Sequence, residues 1–296
     1  MPRILIAGCG YVGQVTADLF QDAGWKVEGW TASAESVAKL SDKRYPVVAV
    51  DIADADQVAA RAKSFDAVIH CASTRGGDVD LYRSVYLKGA GNLLERFDQA
   101  TIVFTSSTSV YAQKNGDWVT EESAAVPQHE TGKILRETEE LVLSHGGIVA
   151  RLAGIYGPGR SALLKRFLSG EAIIDPQNDY FVNQAHRDDI AAALFLLLNR
   201  RVDSAQIYNV VDDEPILQSE YYRWLAAKLN RPLPPVGGSE PGRKRGRSNK
   251  RVSNARLRRL GWMPRYSSFA EAMQRSILPS FEIPGNLGGE IGALEA

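Results

Sequence analysis

Short runs of branched apolar residues alternate along this chain with longer stretches whose apolar side chains recur every three to four positions. The first run, RILIAG at 3–8, has the density of a strand buried on both faces. Behind it, Val12, Val15, Thr16, Leu19, Phe20 and Ala23 fall at helical spacing, and Gly24 ends that helix before a second strand, KVEGW at 26–30. The rhythm repeats. PVVAVDIAD (46–54), DAVIHCAS (66–73) and TIVFTSS (101–107) read as the third, fourth and fifth strands, and GIVARLAGIYGPGR (147–160) as the sixth, ending in a glycine-proline turn. Between them, 80–97 reads as a long helix, and HETGKILRETEELV as a helix striped by Ile134, Leu135, Leu141 and Val142. Further on, SALLKRFLSG (161–170) is a short amphipathic helix. Asp188 and Asp189 open a core-facing helix through Ile190, Ala193, Leu194, Leu197 and Leu198. An acid in the first turn is favoured by the helix dipole, which gives Asp189 a structural role. IYNVV (207–211) then rejoins the sheet, and SEYYRWLAAKL is helical.

Strands alternating with helices predict an α/β fold: a doubly wound parallel Rossmann sheet with a small C-terminal substrate lobe. The boundaries expected are 1–160 and 182–212 for a dinucleotide-binding body, and 161–181 and 213–283 for the lobe. Residues 284–296 form a tail with a weak apolar pattern that frays. RPLPPVGG breaks the lobe, and the run 242–251 holds six cationic side chains. It reads as a solvated loop, with a phosphate- or carboxylate-gripping lid as the alternative.

Composition narrows this further. Thirty-five basic and 35 acidic residues give a formal net charge of zero, so nothing argues for nucleic acid or an anionic membrane. No apolar run reaches the length of a membrane span. The chain opens directly on a core strand, which speaks against a signal peptide. Its two cysteines, Cys9 and Cys71, form neither a disulfide framework nor a zinc pattern, which points to a reducing, cytoplasmic setting and no bound metal.

Candidate chemistry begins where the first strand ends. In GCGYVG, Gly8 permits a tight turn, Gly10 admits a diphosphate, and Gly13 lets the helix pack on the strand. Cys9, Tyr11 and Val12 complete the turn, whose helix N-terminus favours an anion. The acidic residue expected at the tip of the second strand is missing. Thr31, Ala32 and Ser33 stand there, and Glu28 comes too early in the strand. Two hydroxyls and no carboxylate favour NADP over NAD, although no arginine is there to clamp a 2′-phosphate; Thr31 and Ser33 capping the next helix is the competing reading. At the tips of the third and fourth strands, Asp51 and Ile52 are placed near an adenine, and Cys71, Ala72 and Ser73 near the ribose and diphosphate. His70 reads as a strand histidine satisfied by neighbouring backbone.

GCGYVG, VIHCAS, FTSSTSVY, the lysine of HETGK, RLAGIYGPG, AHRDDIAAAL, IYNVVDDEP and NARLRRLGWMP, in that order, resemble the extended or atypical short-chain dehydrogenases/reductases of the NAD-dependent epimerase/dehydratase type. The resemblance covers about nine-tenths of the chain, and TSSTSVY followed by RLAGIYGPGR is most similar to the YeeZ-like atypical branch. It implies an NAD(P)-dependent oxidoreductase or sugar-nucleotide epimerase/dehydratase-like enzyme. Thr105, Ser106, Leu152, Ala153 and Gly154 are then expected near the cofactor. Thr108, Ser109, Tyr156, Asn183 and His186 are expected near a small-molecule substrate. It also implies a homodimer through 80–97 and 129–143 as one possibility.

In such enzymes a serine polarises the reacting oxygen, a tyrosine moves the proton, and a lysine four residues later holds the nicotinamide ribose and tunes the tyrosine. Residues four apart share a helix face. Ser107 matches the serine and Lys133 the lysine, but His129 occupies the tyrosine position. Tyr86 stands where an asparagine is frequent, as does Gly154. Three readings remain open. Imidazole, with a reference pKa of about 6.5, replaces the phenol as base. A tyrosine from elsewhere (Tyr86, Tyr111 or Tyr156) serves the site. Or the chain binds the dinucleotide without turnover, as a redox sensor or scaffold.

Overall fold

The computed structural model describes residues 1–74, 76–200, 203–238 and 248–281. Seven parallel strands form the central sheet: β1 (Arg3–Ala7), β2 (Lys26–Thr31), β3 (Val47–Ala49), β4 (Ala67–His70), β5 (Thr101–Ser107), β6 (Ile148–Leu152) and β7 (Ile207–Val210). Their order is β7-β6-β5-β4-β1-β2-β3, so the winding reverses between β1 and β4. In a doubly wound sheet that reversal opens a crevice at the carboxyl ends of the strands. Ile4, Leu5, Ile6, Ala7, Val68, Ile69, Val103 and Phe104 are completely buried, as layers on both faces demand. Each large apolar side chain so buried contributes about 1.5–3 kcal/mol.

Five helices position the crevice. α1 (Tyr11–Asp22) follows β1 and packs along α4 (Arg187–Asn199). α2 spans 79–96 as an α-helical turn, a π-helical turn (Arg83–Lys88) and a further α-helix. α3 (Glu130–Ser144) packs on α2, on β5 and on the short turn Thr108–Val110. α5 (Gln218–Leu229) belongs to a second apolar cluster with Tyr156, Leu164, Phe167, Tyr221, Tyr222 and Phe269, in which the Tyr221 and Phe269 rings stack at 4.0 Å.

The sixth strand is shorter than its apolar run. After Leu152 the chain leaves the sheet, and Gly154–Tyr156 pairs in parallel with Gln184–His186. Gly154 makes the exit possible, since a Cβ there lies 3.0 Å from the Asn183 carbonyl. β3 is also shorter than its run, because it pairs with β2 alone and turns away at Asp51. Within 213–283, Val252, Leu257 and Trp262 join the main core instead of the second cluster. Arg251–Val252 pairs with Trp118–Val119, which draws this part of the lobe segment onto the body. In the basic run, 242–247 lie outside the described residues, as does the tail 284–296. Lys250 and Arg251 are described and are not solvated. Lys250 is 4% exposed, donating to the Tyr111 carbonyl at 3.1 Å and to Ser248 Oγ at 2.7 Å. Burial pulls its pKa down to about 8. Arg251 donates to the Gly116 carbonyl at 2.8 Å and lies over the Trp118 and Phe181 rings. Among the described residues no helix is long and apolar enough to cross a membrane.

Candidate active site at the carboxyl edge of the sheet

The turn between β1 and α1 is built from three different constraints. Gly8 has φ +109°, and a Cβ on it falls 2.2 Å from the Ala72 nitrogen at the tip of β4. A Cβ on Gly13 falls 2.3 Å from the Gly8 carbonyl. Gly10 has nothing within 4 Å of its Cβ position and faces open space. Two glycines are therefore required by packing, and Gly10 is not. α1 begins without a side-chain cap or an acid in its first turn, so the N–H groups of its first residues are available to an anion. The neighbouring thiols face inward. Cys9 is 1% exposed, its sulfur 3.9 Å from the Tyr45 hydroxyl, and Cys71 donates to the Gly8 carbonyl at 3.1 Å. Burial raises the pKa of both, so they remain thiols. Val12 is buried too; for Cys9 and Val12 only the backbone is left to meet a ligand.

At the tip of β2, Thr31 Oγ1 donates to the Ser33 carbonyl at 3.2 Å, and Ser33 Oγ accepts from Ser36 N–H, capping the helix Ala34–Ala38, while Ala32 is exposed. Glu28 does not supply the missing carboxylate. It is 2% exposed, accepts from Trp30 Nε1 at 2.9 Å and is paired with Lys63 at 2.5 Å. At the tip of β3, Asp51 Oδ1 accepts from Ala53 N–H at 3.0 Å, while Ile52 is buried against Gly89 and its carbonyl accepts from Asn92 at 2.8 Å. His70 is buried at the end of β4 against Tyr86 and Phe104. Neither ring nitrogen has a hydrogen-bond partner among the described residues. Burial outweighs the nearby Tyr86 and Val85 backbone and takes its pKa down to about 4, so the ring is neutral.

Alternation along β5 sorts the three hydroxyls expected there. Thr105 Oγ1 donates to the His70 carbonyl at 3.1 Å, and Ser107 Oγ accepts from Ser109 N–H at 3.1 Å. Ser106 points to the other face, 4% exposed, and donates to Glu139 at 2.6 Å. Its hydroxyl is thereby removed from the expected cofactor contacts. Thr108 is buried and Ser109 exposed. α3 begins beside this turn. His129 is its exposed N-cap, and Lys133 Nζ pairs with Glu130 at 2.5 Å on an exposed helix surface. α3 packs on the Thr108–Val110 turn that follows Ser107.

The expected substrate residues are largely committed elsewhere. Tyr156 is 1% exposed. The Asn183 amide bridges the Lys250 carbonyl at 2.9 Å and Val252 N–H at 2.7 Å. His186 is 1% exposed, accepts from Asp188 N–H at 3.2 Å as the cap of α4, and lies 3.0 Å from Ser276 Oγ. Burial takes its pKa to about 4, so it caps as a neutral ring. Asn183 and His186 each join segments distant in sequence, while Tyr156 is buried in the second apolar cluster. Leu152 and Ala153 are buried, and Gly154 is exposed at the edge. Of the three alternative tyrosines, Tyr111 is fully buried, donating to Asn209 Oδ1 at 2.9 Å and accepting from Arg151 at 2.8 Å. Tyr86 alone is half-buried, its hydroxyl meeting Ser73 and Thr74 just beyond the tip of β4.

Two features were not foreseen. Arg151 and Glu139 form a buried pair beneath Ser106, with Nη2 2.6 Å from Oε2. An arginine inside the apolar strand IVARL is the signal that a buried partner exists. At the seam of the two clusters, Tyr156 Oη, Gln184 Oε1 and Asp212 Oδ1 are buried without a partner among the described residues. Burial, with Asp213 and Glu214 nearby, raises the Asp212 pKa well above the carboxylate range.

The sequence profile of the NAD dependent epimerase/dehydratase family matches residues 4–210. The chain is 28% identical to the protein YeeZ of Escherichia coli K12 over 240 residues, covering 77% of this chain and 84% of YeeZ. A structure from Methylobacillus flagellatus, provisionally described as an NAD-dependent epimerase/dehydratase, is 27% identical with a TM-score of 0.75, covering 92% of this chain and 96% of its own. UDP-glucose 4-epimerase of Thermotoga maritima, solved with UDP-glucose, superposes with a TM-score of 0.78 at 17% identity, over 92% of this chain and 96% of that one, a likeness of fold alone.

Proposed function

The chain belongs to the NAD-dependent epimerase/dehydratase family, and on that premise we propose that it is an NADP-preferring oxidoreductase or epimerase/dehydratase acting on a small carbonyl compound or sugar nucleotide. The observation behind this reading is the glycine turn. Gly8 and Gly13 are jammed against backbone while Gly10 faces open space at the uncapped start of α1, a cradle shaped for a dinucleotide diphosphate. The nicotinamide cofactor, when bound, supplies or accepts hydride. Preference for NADP rests on the tip of β2, where no carboxylate faces a 2′-phosphate. NAD is the alternative, since dTDP-glucose 4,6-dehydratase of Bacillus anthracis, a fold neighbour, was solved with NAD.

Ser107 donates to the reacting oxygen, His129 takes or returns its proton, and Lys133, released from Glu130, holds the nicotinamide ribose. An exposed pair of this kind is screened by solvent, so that release is cheap. The same pair supports a second reading, a dinucleotide-binding protein without turnover, because it leaves the lysine engaged away from a ligand. Titration with NADPH and NADH, followed by nicotinamide fluorescence, and then turnover on a panel of sugar nucleotides and small carbonyls, tests the first reading. His129→Ala is expected to abolish turnover while leaving cofactor affinity near wild type. Unchanged turnover, with loss in Tyr86→Phe, would transfer the proton to Tyr86. Binding without turnover on any substrate favours the second reading.

A further inference from the structure

Tyr11 is the first residue of α1 and the neighbour of the open Gly10. Its hydroxyl donates to the Pro158 carbonyl at 3.0 Å, 147 residues away. The turn at Gly157 is packed so closely here that a Cβ on it falls 2.6 Å from the Tyr11 oxygen and 3.3 Å from Arg187 Cβ. Three elements thus meet on one phenol ring: the glycine turn, the turn at 157–160 and the start of α4. Two guanidinium groups lie against that ring. Arg187 Cζ is 4.9 Å from its centroid and Arg160 Cζ 5.2 Å. They arrive from different elements, so neither is held there by the other's backbone.

Charge around the ring is unbalanced. Arg187 Nε shares Asp188 Oδ1 at 3.0 Å, while Arg160 has no carboxylate within ion-pair distance among the described residues. Two cations on one ring face a single carboxylate that is itself only partly exposed. Guanidinium forks match paired phosphate oxygens, and stacking on an aromatic face leaves their N–H edges free for that purpose.

We infer that Arg160 and Arg187, laid on Tyr11, form a clamp that closes over the glycine turn on the diphosphate of the bound dinucleotide. This rests on the function proposed above. The dinucleotide is favoured over a substrate diphosphate because the platform is a residue of the glycine turn, whereas Ser107 and α3 lie on the far side of β4. Arg160 directly precedes Ser161, the N-cap of the helix Ala162–Leu168, which belongs to the second apolar cluster through Leu164 and Phe167. The clamp therefore ties that cluster's first helix to the diphosphate.

The test uses the full-length protein and binding alone. NADPH and NADH are titrated into wild type, Arg160→Ala, Arg187→Ala and the double variant, with reduced nicotinamide riboside, which carries no phosphate, and UDP as further probes. Each single change is expected to raise the dinucleotide Kd about tenfold, as loss of a charge-assisted hydrogen bond does, and to flatten its salt dependence. Affinity for the riboside is expected to stay within twofold. Circular dichroism melts of each variant separate loss of affinity from loss of folding, since Arg187 is partly buried. Dinucleotide affinity unchanged in the double variant overturns the clamp and leaves the proposed function standing. Weaker UDP binding with unchanged NADPH binding overturns its assignment to the cofactor. No dinucleotide binding by wild type overturns the proposed function and the clamp together.

Discussion

Removing the Glu139 carboxylate should unfold this protein more readily than any other single charge change near the site. Glu139 is fully buried. It accepts from Ser106 Oγ at 2.6 Å, from Arg151 Nε at 3.0 Å and Nη2 at 2.6 Å, and from Arg136. Arg151 is 1% exposed and spends Nη1 on Tyr111, so it has no route to water. Arg136, at 23% side-chain exposure, already reaches Glu140 and can turn outward. Glu139→Gln keeps the size but leaves the Arg151 guanidinium buried without a counter-charge, which costs about 3–5 kcal/mol. With a urea m-value of about 3 kcal/mol/M for a chain of this size, the midpoint should fall by about 1–1.7 M in fluorescence-monitored unfolding. Leucine at 139 combined with methionine at 151 removes both charges. That double variant should be more stable than Glu139→Leu alone, because the desolvated cation has gone with its partner. Additive losses in this cycle, or a midpoint for Glu139→Gln within 0.3 M of wild type, would refute the assignment of the pair as mutually dependent. The pair also fixes Ser106 beside Ser107 and ties α3 to β5 and β6, so a stable Glu139 variant should bind cofactor but turn over slowly.

Gly10→Ala should melt like wild type, because its Cβ meets open space, yet lose most dinucleotide affinity; Gly13→Ala should lose stability as well, since its Cβ falls 2.3 Å from a carbonyl oxygen. Thermal melts read beside NADPH titrations separate the two, and wild-type binding by Gly10→Ala would remove the diphosphate from this turn. Thr31→Asp should weaken NADPH far more than NADH, since it sets a carboxylate against the 2′-phosphate; equal effects would move the adenosine ribose elsewhere. Asp189 offers a pH test. Burial raises its pKa from 3.8 to about 6, against the opposing Arg265 and Tyr266 N–H groups, with Asp188 adding to the rise and the Arg265 charge opposing it. The folded state therefore holds this proton where the unfolded chain has lost it. Its contribution is whole below about pH 4 and is lost as pH rises through 6, amounting to about 3 kcal/mol. Urea midpoints of Asp189→Asn should accordingly fall less than those of wild type between pH 4 and 7, and parallel curves would exclude Asp189 as the source.

Much of the fold was legible along the chain. Apolar runs marked all seven strands, and β5 matches its run to the residue, because a strand buried on both faces leaves an uninterrupted local signature. The glycine turn was legible too, since its backbone demands are met by three glycines within six consecutive residues. What the sequence could not decide were commitments between distant segments. Asn183, His186 and Tyr156 carry suitable chemistry for a substrate, but tertiary contacts with Lys250, Val252, Ser276 and the second cluster absorb or bury them. Ser106 and Ser107 are alike in sequence, and only the pleat of β5 and the arrival of Glu139 from α3 gave one to the core and the other to the edge. Arg160 and Arg187 were ordinary cations until folding laid both on Tyr11. Local pattern reports how each segment buries its own apolar face. Which polar side chain remains free to do chemistry depends on partners brought from dozens of residues away, and that pairing exists only in the folded chain.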